Sequence, residues 1–147
     1  MHESFQTPRP AAILGFTGAV PFLAGLALAF FADDPLRGWG LWLLLIYGAI
    51  ILSFMGGIHW GAAMLRDDAS FNALGRSVLP SLLALPAAAL GGALGLVLLA
   101  LGFCGLLVYD ESEVRAERLP LWYPKLRRPL TGIVVACLFA GAYVGRH

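Results

Sequence analysis

The chain has 147 residues, of which 59% are hydrophobic and 13% charged, and its formal net charge is +1. A soluble globular domain carries about 25% charged residues, so this composition excludes an ordinary soluble fold. The small net charge and the two cysteines also argue against a nucleic-acid-binding protein and a disulfide-rich scaffold. An integral membrane protein is the class that remains, and no nucleic-acid partner is expected.

Three apolar stretches each predict one membrane-spanning helix. A hydrocarbon core of about 30 Å needs about 20 apolar residues in one helix. The first two stretches cover residues 11–32 and 38–64, and neither contains a formal charge. The last covers residues 129–145 and begins at Pro129, which suits a first helical turn because it has no N–H to leave unpaired there.

The uncharged stretch between the second and last spans predicts two further helices. As one helix, residues 77–109 would be about 50 Å long, which is too long for a single crossing. Glycine supplies the unusual backbone angles of a tight turn, so Gly91 and Gly92 favour a break there. The predicted helices are 77–90 and 93–109, and the fold class is an all-α membrane protein with a bundle of five transmembrane helices.

The distribution of Lys and Arg predicts how this bundle is oriented. These residues accumulate in the short cytoplasmic loops of membrane proteins. With five spans, eight of the ten fall on the side of the N-terminus, whereas a single span over 77–109 would give a split of about 4 against 6. We therefore predict a single transmembrane domain over 1–147, with the N-terminus cytoplasmic, the C-terminus outside and an interfacial cytoplasmic loop at 110–128. The eight cations are Arg9, Arg66, Arg76, Arg115, Arg118, Lys125, Arg127 and Arg128.

A ridge of small side chains runs along the second span at four-residue spacing. It consists of Ala49, Ser53, Gly57 and Gly61. Such ridges let membrane helices approach closely and gain van der Waals contact. We interpret the ridge as helix packing within one subunit, and the alternative is an interface with a second copy or a membrane-protein partner.

His59 is the one ionisable residue well inside a predicted span, which makes it a candidate functional residue. It could relay protons or bind haem or another metal. The favoured interpretation is a neutral imidazole hydrogen-bonded to a neighbouring helix, because a metal needs more ligands than the spacing of the other His, Cys and acidic residues offers. Cys104 and Cys137 lie in apolar stretches and are interpreted as small buried hydrophobic residues. No cofactor or metal is predicted.

The charges that follow the fourth span are interpreted as a short solvated segment. Acidic residues at Asp110, Glu111, Glu113 and Glu117 interleave there with Arg115. The chain also has no Gly-rich phosphate loop, Ser/His/Asp set or zinc-protease motif. The sequence therefore predicts a protein that is not an enzyme.

The most distinctive loop, residues 119–129, combines two aromatic residues, three cations and three prolines. Trp and Tyr prefer the headgroup level, and cytoplasmic Lys and Arg are attracted to anionic lipid. The first interpretation is therefore an anchor along the membrane surface, in contact with anionic headgroups. In the alternative, Trp122 and Tyr123 line a ligand pocket and Arg127 or Arg128 holds an anionic group. The candidate ligand-binding residues are Ser53, His59, Trp60, Trp122, Tyr123 and Arg127.

Taken together, these motifs resemble the family known as domain of unknown function 3429, small integral membrane proteins of the transmembrane protein 69 type. The residues that carry the resemblance are Leu14-Gly15, Gly18, Pro21-Phe22, Tyr47-Gly48-Ala49, Leu52-Ser53-Phe54, Gly57, Trp60-Gly61, Ser77-Val78-Leu79-Pro80, Trp122-Tyr123, Leu126-Arg127 and Leu130-Thr131. That family has no established activity. The resemblance therefore implies location and topology, a multi-pass protein of the bacterial inner membrane.

The loop at residues 119–129 is also similar to the aromatic, proline-rich loop of tryptophan-rich sensory proteins, which have five spans and bind porphyrins and lipids. There the loop follows the first span, whereas here it precedes the fifth. We predict a non-catalytic accessory or assembly factor that acts through helix packing, with a membrane-protein partner or a second copy. The alternative is a binder or transporter of a small hydrophobic or anionic ligand, such as a porphyrin, a quinone or a lipid.

Overall fold

The computed structural model describes residues 6–146, in which every regular element is an α-helix. In chain order the helices are α1 (Arg9–Gly18), α2 (Val20–Phe31), α3 (Leu36–Leu65), α4 (Phe71–Leu90), α5 (Gly92–Arg115) and α6 (Tyr123–Gly145). Because α1 and α2 follow each other along one crossing, the helices form five stretches that are long and apolar enough to span a membrane. The predicted all-α bundle of five membrane helices is confirmed.

The first crossing is broken at Ala19 rather than continuous over residues 11–32. Pro21 explains the break, because proline has no N–H for the helix and its ring clashes with the carbonyl four residues earlier. The Ala19 N–H donates instead to the Phe16 carbonyl, at 3.1 Å. The Tyr47 hydroxyl of α3 donates to the Gly18 carbonyl at 2.8 Å, which ties the break to the centre of the bundle.

Helix α3 lies at the centre, where it packs against α2, α4, α5 and α6. A row of residues spaced by four makes up most of its buried face and consists of Gly40, Leu44, Gly48, Leu52 and Gly56. Glycine at position 56 brings α3 close to α4, since a Cβ atom there would lie 2.7 Å from the Ser77 carbonyl oxygen. The hydrophobic core surrounds this row and includes the buried rings of Phe22 and Phe103.

The predicted packing ridge of α3 lies beside the row that meets the other helices most closely, and two of its four residues have no close neighbour within residues 6–146. A Cβ atom at Gly57 or Gly61 would have no neighbouring atom within 4 Å in the part of the chain that the structure describes. Ser53 donates to the Ala49 carbonyl of its own helix at 2.9 Å, and only Ala49 packs partly against the core. One residue turns a helix by about 100°, so a ridge offset by one from the Gly56 row faces outward. Its role as an interface with a partner or a second copy stays a prediction.

The ends of α4 and α5 meet at the predicted glycine turn. Gly91 and Gly92 have φ values of 64° and 57°, a backbone region that favours glycine, and the helices end and begin there. Helix α4 begins earlier than predicted, at Phe71 rather than residue 77, because Ser70 caps it. The Ser70 hydroxyl accepts a hydrogen bond from the Ala73 N–H at 3.2 Å.

The predicted interfacial loop at 110–128 is mostly helical. Helix α5 continues to Arg115 instead of ending at residue 109, and α6 begins at Tyr123 instead of residue 129. Pro124 occupies the first turn of α6, the place predicted for Pro129, which lies inside the helix. The connection between these helices is therefore only residues 116–122.

Candidate ligand-binding site

A cluster of ionisable side chains lies buried where α3, α5 and α6 meet. His59 donates from Nε2 to Asp110 Oδ1 at 2.6 Å, and Arg127 donates from Nε to Asp110 Oδ2 at 2.9 Å. Their exposed fractions are 2% for His59, 0% for Asp110 and 4% for Arg127. The interpretation of Asp110 as part of a solvated segment is therefore wrong, and so is the placement of Arg127 at the surface. We call these three residues the His–Asp–Arg cluster.

The cluster lies near one end of the bundle. His59 is six residues from the end of α3, Asp110 is five from the end of α5, and Arg127 is four from the start of α6. At 1.5 Å per residue, the cluster therefore lies about 6–9 Å inside the helix ends. A charge without a partner is expensive at such a buried position. The mutual pairing offsets this cost for Asp110, which lies past the predicted end of α5 at residue 109.

The cluster has hydrogen-bonding groups that it does not use. Among the described residues, His59 Nδ1, Arg127 Nη2 and Thr131 Oγ1 are buried without a hydrogen-bond partner. Buried polar atoms without partners are rare in folded proteins, so each indicates a missing group or a functional role. The His59 ring also stacks on Tyr109, with 4.1 Å between the ring centroids.

A second layer of ion pairs covers the cluster toward the helix ends. Glu113 is 4% exposed and lies between two arginines. Its carboxylate is 3.1 Å from Arg118 and 3.8 Å from Arg66. The neighbouring pair of Glu111 and Arg128, at 2.6 Å, is more exposed. This end of the bundle therefore combines buried and solvated charge pairs.

A cleft of about 480 Å³ extends from Arg127 between the first crossing, α3 and α6. This volume lies within the range of about 300–1,000 Å³ that is usual for small-molecule sites. Aromatic rings make up much of its wall, and it is open on one side. We call it the aromatic cleft. The residues that define it are Phe22, Tyr47, Phe103, Trp122, Tyr123 and Arg127.

The structure brings together only some of the residues that the sequence singled out. Trp122, Tyr123 and Arg127 line the aromatic cleft, and His59 reaches Arg127 through Asp110. Ser53 and Trp60 do not line the cleft. Ser53 bonds to its own helix, and Trp60 is 41% exposed.

Sequence reasoning missed Asp110, the residue that joins the cluster. It also missed four rings in the cleft wall, which are those of Phe22, Tyr47, Phe54 and Phe103. Within residues 6–146, no group of three or more His, Cys, Asp and Glu residues could hold a metal ion. The arrangement offers hydrogen bonds and ring contacts to a ligand.

Comparisons with known proteins identify the family of this chain. A family model described as "Protein of unknown function (DUF3429)" matches residues 7–143. Transmembrane protein 69 of Xenopus tropicalis is 31% identical over 145 residues, which cover 90% of this chain and 53% of that protein. The chain thus spans about half the length of that curated relative. No solved structure matches.

Proposed function

The chain belongs to the DUF3429 family of proteins of unknown function, and we propose that it is a non-catalytic membrane protein that binds a small amphipathic ligand in the aromatic cleft. The position of Arg127 carries this proposal. Arg127 lines the cleft, and its buried Nη2 has no hydrogen-bond partner among the described residues. This nitrogen has less than 1 Å² of exposed surface, so the guanidinium would turn toward the cleft when a ligand binds. An acceptor oxygen at the polar end of the ligand would then satisfy this donor, while the apolar body would contact the aromatic rings.

The charge balance of the cluster favours a neutral ligand head over an anion. Asp110 already neutralises Arg127 at 2.9 Å, so a bound anion would add an uncompensated buried charge. A carbonyl oxygen accepts a hydrogen bond without that cost. Among porphyrins, quinones and lipids, a quinone fits best, because it joins a flat ring to carbonyl oxygens. Its apolar tail would leave through the open side of the cleft into the bilayer.

Fluorescence quenching by a short-chain benzoquinone tests this proposal in lipid nanodiscs. The reporter is a chain in which Trp122 is the one remaining tryptophan, after substitution of Trp39, Trp42 and Trp60 by Phe. Quinones quench tryptophan at contact, so we expect saturable quenching. Arg127→Met is expected to weaken binding by roughly 10- to 100-fold, the effect of losing a hydrogen bond from a charged donor.

Three controls separate binding in the cleft from partition into lipid and from the general effect of removing a cation. Because Arg127→Met is also expected to destabilise the bundle, its binding is measured under conditions in which unfolding shows the variant to be folded. The exposed Arg128→Met variant is expected to bind as tightly as the parent chain. Gly18→Leu places a side chain in the cleft without touching Arg127, and it is expected to abolish saturation. A reporter chain with only Trp60, outside the cleft, should not show the same saturation. Identical dependence of fluorescence quenching on quinone concentration in the Trp60 and Trp122 reporters would contradict the proposal.

The second candidate function is the accessory or assembly role predicted from the sequence. It is supported by Gly57 and Gly61, which lie uncovered by the described part of the chain. Purification in mild detergent at native expression distinguishes the two functions. A stoichiometric quinone, porphyrin or lipid supports ligand binding. A stable membrane-protein partner supports assembly instead.

The distribution of charge supports a location for the protein. Eight of the ten Lys and Arg residues lie toward the end of the bundle that holds the His–Asp–Arg cluster. We propose that this end faces the cytoplasm of a bacterium, beside the anionic headgroups of the inner membrane. A reporter fused after residue 147 is then expected to be active outside the cytoplasm. Cytoplasmic activity of that fusion would contradict this orientation.

A further inference from the structure

A separate groove lies between α4 and α5 and is lined by Tyr109, whose ring also stacks on His59. Its volume is about 730 Å³. Leucines from both helices form its walls, and the Leu83 side chain of α4 packs against Gly102 of α5. At Gly105, an added Cβ would meet no atom within 4 Å, so the groove is open there. We call it the α4–α5 groove.

The polar side chains of this groove are both near the charged end of the bundle. They are Arg76, five residues into α4, and Tyr109, six residues before the end of α5. These positions lie about 8–9 Å inside the helix ends, at the depth where Tyr and Arg meet lipid headgroups. Among residues 6–146, no acidic side chain forms an ion pair with Arg76. Arg76 therefore supplies a positive charge that is available to a ligand.

The depth of the groove matches one leaflet of a bilayer. From Leu101 to Tyr109 the α5 wall is about 12 Å long. Half of a 30 Å hydrocarbon core is about 15 Å. A partner helix would need a contact surface that continues across the membrane. The α4–α5 groove fits a lipid chain that enters from the charged end.

We propose that the α4–α5 groove is a binding site for an anionic phospholipid. The acyl chain lies against the leucines and over Gly105, where the α5 surface is open. The phosphate lies beside Arg76, and the Tyr109 ring flanks it at headgroup level. This site is separate from the aromatic cleft, so a failure of either proposal leaves the other intact.

Native mass spectrometry of the purified full chain tests this site. The detergent-solubilised protein is titrated with phosphatidylglycerol and, separately, with phosphatidylcholine of the same chains. Arg76→Gln is expected to weaken the first binding of phosphatidylglycerol about fivefold, with little effect on phosphatidylcholine. Arg9→Gln, which removes an exposed cation from the same end on α1, is expected to change neither value.

A second pair of variants tests the apolar part of the site. Gly105→Leu fills the groove without altering charge and is expected to weaken the binding of both lipids severalfold. Gly132→Leu is its matched control, because that glycine also has no neighbour within 4 Å and lies on α6, outside the groove. Equal effects of Arg76→Gln and Arg9→Gln on phosphatidylglycerol binding would overturn the proposal. Equal effects of Gly105→Leu and Gly132→Leu on lipid binding would also overturn it. Displacement of phosphatidylglycerol by millimolar glycerol phosphate would identify a free-phosphate site instead.

Discussion

Asp110→Asn is expected to lower the free energy of unfolding by about 3–5 kcal/mol, because it leaves Arg127 as a buried charge without a counterion. The wild-type pair is 2.9 Å apart, and the two side chains are 1% and 4% exposed. Arg127→Met is expected to have an effect of similar size, since it leaves the Asp110 carboxylate with His59 as its one remaining partner in the described chain. Unfolding in mixed micelles with increasing denaturing detergent measures both effects.

The double variant of Asp110→Asn with Arg127→Met separates charge pairing from general loss of packing. Removing both charges avoids the uncompensated charge, so it is expected to be markedly more stable than the sum of the single effects predicts. The exposed pair of Glu111 and Arg128 is the matched control. Its side chains are 29% and 64% exposed, and Glu111→Gln is expected to cost less than about 1 kcal/mol. Additive effects in the double variant would refute a role of the pair in holding α5 against α6.

The burial of Asp110 could not be predicted from hydropathy, because a charged residue at the end of an apolar stretch usually marks the point where the chain leaves the membrane. Its partners are 51 and 17 residues away in the chain, so no local spacing reveals them. The structure shows a regular pattern that the sequence hides. Five of the eight buried positions of α5 follow alternating steps of four and three residues, at 99, 103, 106, 110 and 113. Exposed residues between them, such as Leu101 and Val108, are equally apolar, so hydrophobicity does not reveal the inner face of this helix.

The number of spans and the turn at Gly91 were predictable, because span length and backbone freedom are local properties. The side of α3 that faces the rest of the bundle was not predictable. Two rows on that helix have the same four-residue spacing: the row through Gly56 alternates glycine and leucine, and the row through Gly57 contains only small residues. Lipid is as apolar as a helix core, so hydrophobicity does not distinguish which row faces the protein. Only the close contact of Gly56 with α4 shows which row faces the protein.

Alanine substitution at these adjacent glycines is therefore expected to give opposite results. At Gly56 a Cβ atom would lie 2.7 Å from the Ser77 carbonyl oxygen and 3.0 Å from Pro80 Cγ. Helix α4 must shift to accept it, and Gly56→Ala is expected to lower the free energy of unfolding by about 1–3 kcal/mol. Gly57→Ala meets no neighbouring atom within 4 Å. It is expected to leave stability unchanged or to raise it by up to about 1 kcal/mol, because alanine loses less backbone entropy than glycine in a helix.

A third variant, Gly57→Leu, shows together with these two alanine variants whether the outward ridge binds another chain. All three are measured by unfolding in detergent and by chemical crosslinking in the membrane. If Gly57→Leu keeps the fold but abolishes a crosslinked dimer or partner complex, the ridge is an intermolecular interface, because a leucine there prevents close helix approach. If Gly57→Leu changes neither stability nor crosslinking, the ridge faces lipid. Destabilisation by Gly57→Ala equal to that by Gly56→Ala would contradict the orientation of α3, and with it the position of His59 toward Asp110.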